Sequence, residues 1–239
     1  MTSNTTSQSD QLLSAAHVWH VNPDEVSAPD LESRCLHWLP REEHTHLEQL
    51  HLPRVRHEYL VTRILCRSML SHYAGIPPQE WRFGVIGKKK PVIASPRRYR
   101  AIRFNLTHTN GLIACAATRA GRIGIDAEQT TRQIDVDSLS AFVLSKDEQD
   151  RLRQFAPPQR AGEFLKYWVV KEAWLKGRGT GLFCPMHEIT VTFGGDEQPF
   201  PIGEWDISLK TMPAGHVAAV ALRCRNQRNL PVLWREVGL

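Results

Sequence analysis

The chain has little of what usually assigns a protein to a class at sight. Cysteine is scarce: five in 239 residues (Cys35, Cys66, Cys115, Cys184, Cys224), odd in number, scattered and never at CxxC spacing. That excludes a disulfide framework and a cysteine zinc site, reads as small buried thiols, and suits a reducing cytoplasm. No apolar run approaches the roughly 20 residues a membrane helix needs. The opening MTSNTTSQSD has no basic segment followed by an apolar one, so residues 1–12 are expected to be a disordered polar tail rather than a secretory signal. There is no repeat of fixed period. Aromatic residues make up 8% and are not interleaved with basic clusters such as PRRYR (96–100). A stacking surface for nucleic acid is therefore not expected, and neither nucleic acid nor membrane is an expected partner. The formal net charge is only +5, which favours polyanionic partners in general without choosing between a phosphorylated cofactor and an acidic protein.

What is present is enough for a core, with 41% hydrophobic residues, in a chain long for one ordinary domain and short for two large ones. Residues 14–21 read as a short opening strand, and a helical stretch runs through the forties to Pro53. From Arg56 to Tyr73, Leu60, Ile64, Leu65 and Met69 recur at near helical spacing, and Arg56, Arg63 and Arg67 share one face that reads as solvated. Gly75, Pro77 and Pro78 end this helix. A strand WRFGV (81–85) leads to the basic turn GKKKP (87–91). RFNLTH (103–108) precedes two strands, 111–118 and 122–128, and Ala120-Gly121 between them suggests an antiparallel hairpin. Ser145 and Glu148 form a capping box for a helix to about Phe155, broken by Pro157 and Pro158. A helix over roughly 159–177 runs into GRGTGL (177–182), and strand-like alternation follows at 188–193, 204–210, 216–224 and 231–237.

Asp126 and Glu128 are two apart on a strand, so they project from one face. Two close carboxylates repel unless a cation lies between them, and oxygen-only ligands select a hard ion such as magnesium. The same pair is also common on an exposed strand face. Trp168, Glu172 and Lys176 stack at intervals of four along one helix side. They also read as core tryptophan and surface ion pair, and Lys171, a step round the helix, as solvated. The run into Gly177, Gly179 and Gly181 points the other way, because such glycines let a backbone approach a ligand.

Three blocks, FNLTHTNG (104–111), IGIDAE (123–128) and FLKYWVVKEAWLKGRGTGL (164–182), resemble the signature blocks of the 4′-phosphopantetheinyl transferases, in particular the Sfp type. Their order and separation fit, and with GKKKP and the arginine-rich helix the resemblance covers roughly 15–225. It implies an α+β fold of two similar α/β subdomains about a pseudo-twofold axis, with boundaries at 13–121 and 122–239 and the active site in the cleft between them. The activity implied is transfer of the phosphopantetheine arm of coenzyme A to a serine of an apo acyl or peptidyl carrier protein, with magnesium, in a cytoplasmic monomer.

Carried over position by position, the resemblance makes Asp126, Glu128 and Glu172 magnesium ligands. Glu172 is also the base and Lys176 the lysine on the attacked phosphate. Lys171 and Trp168 line the same site, Thr107 and His108 meet the 3′-phosphate, Lys90 and Pro91 lie at the nucleotide, and Arg56 is an upstream arginine. The sequence departs from the family pattern at HTHLEQLHLPR (44–54), where basic residues are usual. His44 and His46 stand there without an assigned role. A non-catalytic scaffold for carrier protein or coenzyme A is the alternative; a nucleic-acid-binding domain and a metal-dependent phosphohydrolase explain the three blocks less well.

Overall fold

The computed structural model describes residues 8–86, 90–179, 184–212, 214–225 and 227–239. Parts of GKKKP and GRGTGL lie outside them. In chain order the helices are α1 (Gln8–Ser14), α2 (Ala28–Cys35), α3 (Arg41–Gln49), α4 (Pro53–Ala74), α5 (Val136–Val143), α6 (Lys146–Arg153) and α7 (Pro157–Arg178). The strands are β1 (Ala16–Val21), β2 (Arg82–Ile86), β3 (Lys90–Ser95), β4 (Arg103–Thr109), β5 (Leu112–Thr118), β6 (Gly121–Gln129), β7 (Asp206–Met212), β8 (His216–Cys224) and β9 (Val232–Glu236).

The fold is α+β, and one topology occurs twice. A strand, a long helix and a two-stranded hairpin form β1-α4-β4-β5 and then β6-α7-β7-β8. In each case the last strand is central and antiparallel to both neighbours, giving β4-β5-β1 and β6-β8-β7. The chain end returns to the first sheet, where β9 pairs parallel with β1. The small hairpin β2–β3 is a sheet of its own.

Burial on both faces explains the unbroken apolar runs in β5 and β8. On β5, Ile113, Cys115 and Ala117 pack with Leu60, Ile64 and Met69 of α4. On β8, Val217, Ala219 and Ala221 pack with Leu165, Val169 and Ala173 of α7. The alternate residues Ala114, Ala116, Val220 and Leu222 join Ile123 and Ile125 in a third cluster shared by the two sheets.

Several expectations are corrected. The hairpin lies one strand earlier: β5 pairs with β4 and β1, while β6 pairs with β8. Its two-residue loop is Asn110-Gly111, with Gly111 at φ +73°, and Asn-Gly is a strong hairpin signal. Residues 188–193 hold no strand beyond an isolated bridge at Phe193. Pro157 and Pro158 begin α7 rather than merely interrupting a helix, because the first helical turn needs no N–H there. Residues 8–12, expected in the tail, are helical. Leu12 is fully buried, and its carbonyl accepts from Arg119 N (2.7 Å) and Thr118 Oγ1 (3.1 Å). Arg67, expected on a solvated face, is fully buried, with its guanidinium 3.0 Å from Glu43 and over the Phe83 ring.

Candidate active site

Strand β6 carries Asp126 and Glu128 on the side that meets β4, and Ala127 points away into a small cluster with Leu112 and Met212. Between β4 and β6 the contacts are made by side chains. Asn105 Oδ1 accepts from Ile125 N (2.9 Å), Thr107 Oγ1 donates to Asp126 Oδ1 (3.0 Å), and Thr109 Oγ1 donates to Glu128 Oε2 (3.2 Å). The other oxygen of Glu128 takes Arg132.

Helix α7 reaches this strand because both surfaces lack a side chain where they touch. A Cβ at Gly124 would lie 2.1 Å from the Ala173 carbonyl oxygen and 2.3 Å from Gly177 N. A glycine inside a strand often marks such a close approach. The approach sets Lys176 Nζ 2.6 Å from Asp126 Oδ1 and 3.4 Å from Thr107 Oγ1. Lys176 thus pairs with Asp126, not with Glu172 as a helical surface pair would.

Two carboxyl groups, buried Asp126 and half-buried Glu172, are disfavoured as anions. Burial raises the Asp126 carboxyl above its ordinary range, against the pull of Lys176 and Thr107 and with help from the charge of Glu128. Asp126 Oδ2 is buried and has no hydrogen-bond partner among the described residues. Glu172 is raised by burial and then by Asp126 and Glu128, with Lys176 opposing. Each of these strains is relieved by a cation between the carboxylates. Among the described residues no three carboxylate, imidazole or thiol groups already stand at ligating distance from a common point.

A cavity of about 800 Å³ opens beside this cluster. Glu172, Lys176 and Gly179 form one wall, Lys90, Pro91 and Val85 of the β2–β3 hairpin another, and His108 and Asn105 of β4 the floor. Opposite stand His46 of α3 and Tyr59 and Arg63 of α4, the Arg63 guanidinium lying 4.8 Å from the Tyr59 ring centroid. Lys90 Nζ donates across to the carbonyls of Gly177 (2.6 Å) and Ile123 (3.1 Å). Burial, with Arg122 and Arg103 nearby, lowers its pKa to about 8.

Of the expected site residues, the structure brings together Asp126, Glu128, Glu172, Lys176, Lys90, Pro91 and His108. It places Arg56, Lys171 and Trp168 elsewhere and turns Thr107 from the cavity to the carboxylates. Arg56 turns to Glu32 Oε1 (3.0 Å) and the Leu47 carbonyl (2.9 Å), and the α4 arginine at the cavity is Arg63. Thr107 alternates with His108 along β4, so its hydroxyl meets Asp126 while His108 faces the cavity. Lys171 is fully buried in the second core, donating to Glu148 and to the carbonyls of Val143 (2.7 Å) and Met186 (3.1 Å). Trp168 packs on Phe164 in that core. The sequence reading left His44 and His46 open, and it is His46 that lines the cavity. It missed Arg63, Tyr59 and Thr109, whose placement depends on packing, and Gly124, whose signal is a glycine inside a strand.

Comparison with known proteins bears on the same two halves. Residues 122–221 match the family model described as 4′-phosphopantetheinyl transferase superfamily, and residues 27–120 match that of the 4′-phosphopantetheinyl transferase N-terminal region. The 4′-phosphopantetheinyl transferase HetI of Nostoc sp. is 29% identical over 182 residues, 75% of each chain. The transferase psf-1 of Bacillus pumilus is 30% identical over 139 residues, 58% of this chain and 57% of that one. The transferase Sfp of Bacillus subtilis strain 168 is 28% identical over 142 residues, 59% of this chain and 61% of its own length. The matches to psf-1 and Sfp thus span about 60% of those relatives. With both halves of the repeated fold matched in order, this chain belongs to the 4′-phosphopantetheinyl transferase superfamily.

Proposed function

We propose that the protein transfers the 4′-phosphopantetheine arm of coenzyme A to a serine hydroxyl of an apo carrier protein, releasing 3′,5′-ADP. The observation that carries this reading is the polarity of the cavity. Arg63, His46, His108 and Lys90 offer donors to an anionic ligand among apolar lining residues and the acids Glu43 and Glu58, and Glu172 and Lys176 line it on the side where Asp126 lies. A long polyphosphorylated nucleotide fits the first part, and phosphoryl chemistry fits the second.

The donor set suits magnesium: three carboxylates, one buried oxygen without a partner, and carboxyl groups pushed up by burial and mutual repulsion. Asp126, Glu128 and Glu172 are its proposed holders, and when bound it supplies Lewis-acid charge neutralisation at the pyrophosphate. Lys176 offsets charge on the phosphate under attack. Glu172, whose carboxyl burial holds above its ordinary range, takes the proton from the serine hydroxyl. Lys90 and Pro91 border the nucleotide, and His108 meets the 3′-phosphate. Residues 13–121 and 122–239 form the two subdomains, the last strand of the second being lent to the first sheet. Both lie in one chain, so the working unit is a monomer. The five unpaired cysteines suit the cytoplasm, and no helix among the described residues is long and apolar enough to cross a membrane.

Apo carrier proteins incubated with the enzyme, coenzyme A and magnesium are expected to gain one phosphopantetheine mass, and EDTA stops the reaction. Asp126→Ala is expected to lower turnover by orders of magnitude while circular dichroism stays native. Coenzyme A binding without modification of any carrier in a broad panel would establish a scaffold instead.

A further inference from the structure

Strand β4 meets β6 through three alternate side chains, Asn105, Thr107 and Thr109, and two of these end on the carboxylates of the candidate cation site. A carboxylate has two oxygens, and a hydroxyl fixed to one of them sets the rotation of the group and the direction of the other. On Asp126 the Thr107 hydroxyl holds Oδ1 and leaves Oδ2 buried and without a partner. On Glu128 the Thr109 hydroxyl holds Oε2, and Arg132 takes Oε1. Thr107 also lies 3.4 Å from Lys176 Nζ, so one hydroxyl accepts from the lysine and donates to the carboxylate that the lysine pairs with.

We infer that Thr107 and Thr109 are positioning residues: from the first half of the molecule they orient Asp126 and Glu128 of the second half and thereby set the affinity of the cation site. The inference rests on the reading that Asp126 and Glu128 hold the cation. It gives Thr107 work different from contact with a nucleotide phosphate. Partners of this kind change metal affinity by about 10- to 100-fold when removed. A merely structural pair of threonines would instead alter stability and leave metal binding alone.

The test uses the full chain and Mn2+ alone, with free Mn2+ read by electron paramagnetic resonance. Thr109→Val and Thr107→Val keep the shape and remove the hydroxyl. Each is expected to raise the Mn2+ dissociation constant about 10-fold, and Thr109→Ser and Thr107→Ser are expected to restore it to within about twofold. Thermal melts of the four variants control for folding. Thr107→Val should also leave the preference for coenzyme A over dephospho-coenzyme A unchanged. The inference is overturned if the valine variants bind Mn2+ as the wild type does, if serine and valine weaken binding equally, or if Thr107→Val abolishes the dephospho preference. Mn2+ binding that responds as expected in a protein that modifies no carrier would sink the proposed activity and leave the inference standing. A wild type that binds no Mn2+ would sink the inference, and carrier modification, measured separately, would still report on the activity.

Discussion

The two halves share one plan and use it differently. α4 and α7 are both 22 residues long, both begin on proline, and both end on a left-handed glycine, Gly75 at φ +66° and Gly179 at φ +76°. Each lies on an antiparallel trio of strands whose last strand is central, β4-β5-β1 and β6-β8-β7, the first trio being extended by β9. Yet α4 presents Arg63 and Tyr59 to the cavity, and α7 presents Glu172 and Lys176. The first strands differ as well. The edge of β1 is closed by a main-chain ladder with β9, whereas β6 meets β4 through side chains. Replacing a ladder by side chains is what brings two carboxylates to the seam between the halves. On the proposed reading the same topological unit serves mainly as an anion-binding wall in the first half and holds the carboxylates for a cation in the second, where Lys176 adds the one basic group of that wall.

The largest expected effect would sharpen this contrast in the interior. Each long helix buries one basic residue, but with different company. Lys171 and Glu148 are both fully buried, and Glu148 also accepts from Val191 N (2.6 Å) and Ser145 N (2.7 Å). In the first half Arg67 is buried but its partner Glu43 reaches the cavity. Removing one member of a fully buried pair leaves an uncompensated charge and costs about 3–5 kcal/mol. Lys171→Met alone should therefore lower urea stability by about that amount, and adding Glu148→Gln should recover only part of it, because both Glu148 oxygens accept backbone N–H groups and an amide has one acceptor oxygen. Arg67→Met should cost less, because Glu43 can be hydrated. Equal costs in the two halves, or no recovery in the double variant, would break the contrast.

The next effect probes the first half as the anion-binding wall. Lys90, at about 8, loses its charge within reach of ordinary buffers. Below that value it is charged and available to a phosphate. Above it, binding a polyanion requires taking up a proton, so affinity for coenzyme A should fall by up to about tenfold per pH unit, since one pKa unit is about 1.4 kcal/mol. Stability moves the opposite way. Between about 8 and the ordinary lysine value the unfolded chain holds more protons than the folded one, so resistance to unfolding rises with pH. Lys90→Arg should flatten the binding profile without moving that of Glu172-dependent turnover. Calorimetric titrations from pH 7 to 9.5 decide it; an unchanged slope in the arginine variant would remove Lys90 from the anion wall.

How far the sequence foretold this arrangement depended on whether the controlling contact was local. Helix α7, the carboxylate pair on β6 and the capping box at Ser145 were legible, because spacing of three, two or four residues decides them. The hairpin was assigned to the wrong strands, although Asn110-Gly111 carried the turn chemistry. Ala120-Gly121 has a similar composition, but there the chain crosses from one sheet to the other. Lys171 and Arg67 read as solvated because their partners, Glu148 and Glu43, lie 23 and 24 residues away and no periodicity reveals them. Arg56 and Arg63 stand on one helix face two turns apart, and only the packing of α3 and α2 decides which reaches the cavity. The candidate site was thus legible where local spacing decides it, at Asp126, Glu128, Glu172, Lys176 and His108, and not where packing does, at Lys171 and Trp168 in the second half and at Arg56 in the first.

The smallest effect compares the two long helices through glycines that touch nothing. A Cβ at Gly162, inside α7, would meet no atom within 4 Å, and neither would one at Gly75, which ends α4. Packing is therefore absent from both substitutions, and only the backbone decides. Gly162 has helical geometry, where alanine fixes the unfolded chain better than glycine does. Gly162→Ala should raise stability by about 0.5–1 kcal/mol. Gly75 is left-handed at φ +66°, a conformation that costs an L side chain about 1–2 kcal/mol, so Gly75→Ala should lower stability by about 1 kcal/mol. The two variants are expected to shift the denaturation midpoint in opposite directions with unchanged slope. A loss at Gly162 would mean that the backbone there, like that at Gly75, is held in a conformation alanine resists, and the contrast between the two glycines would fail.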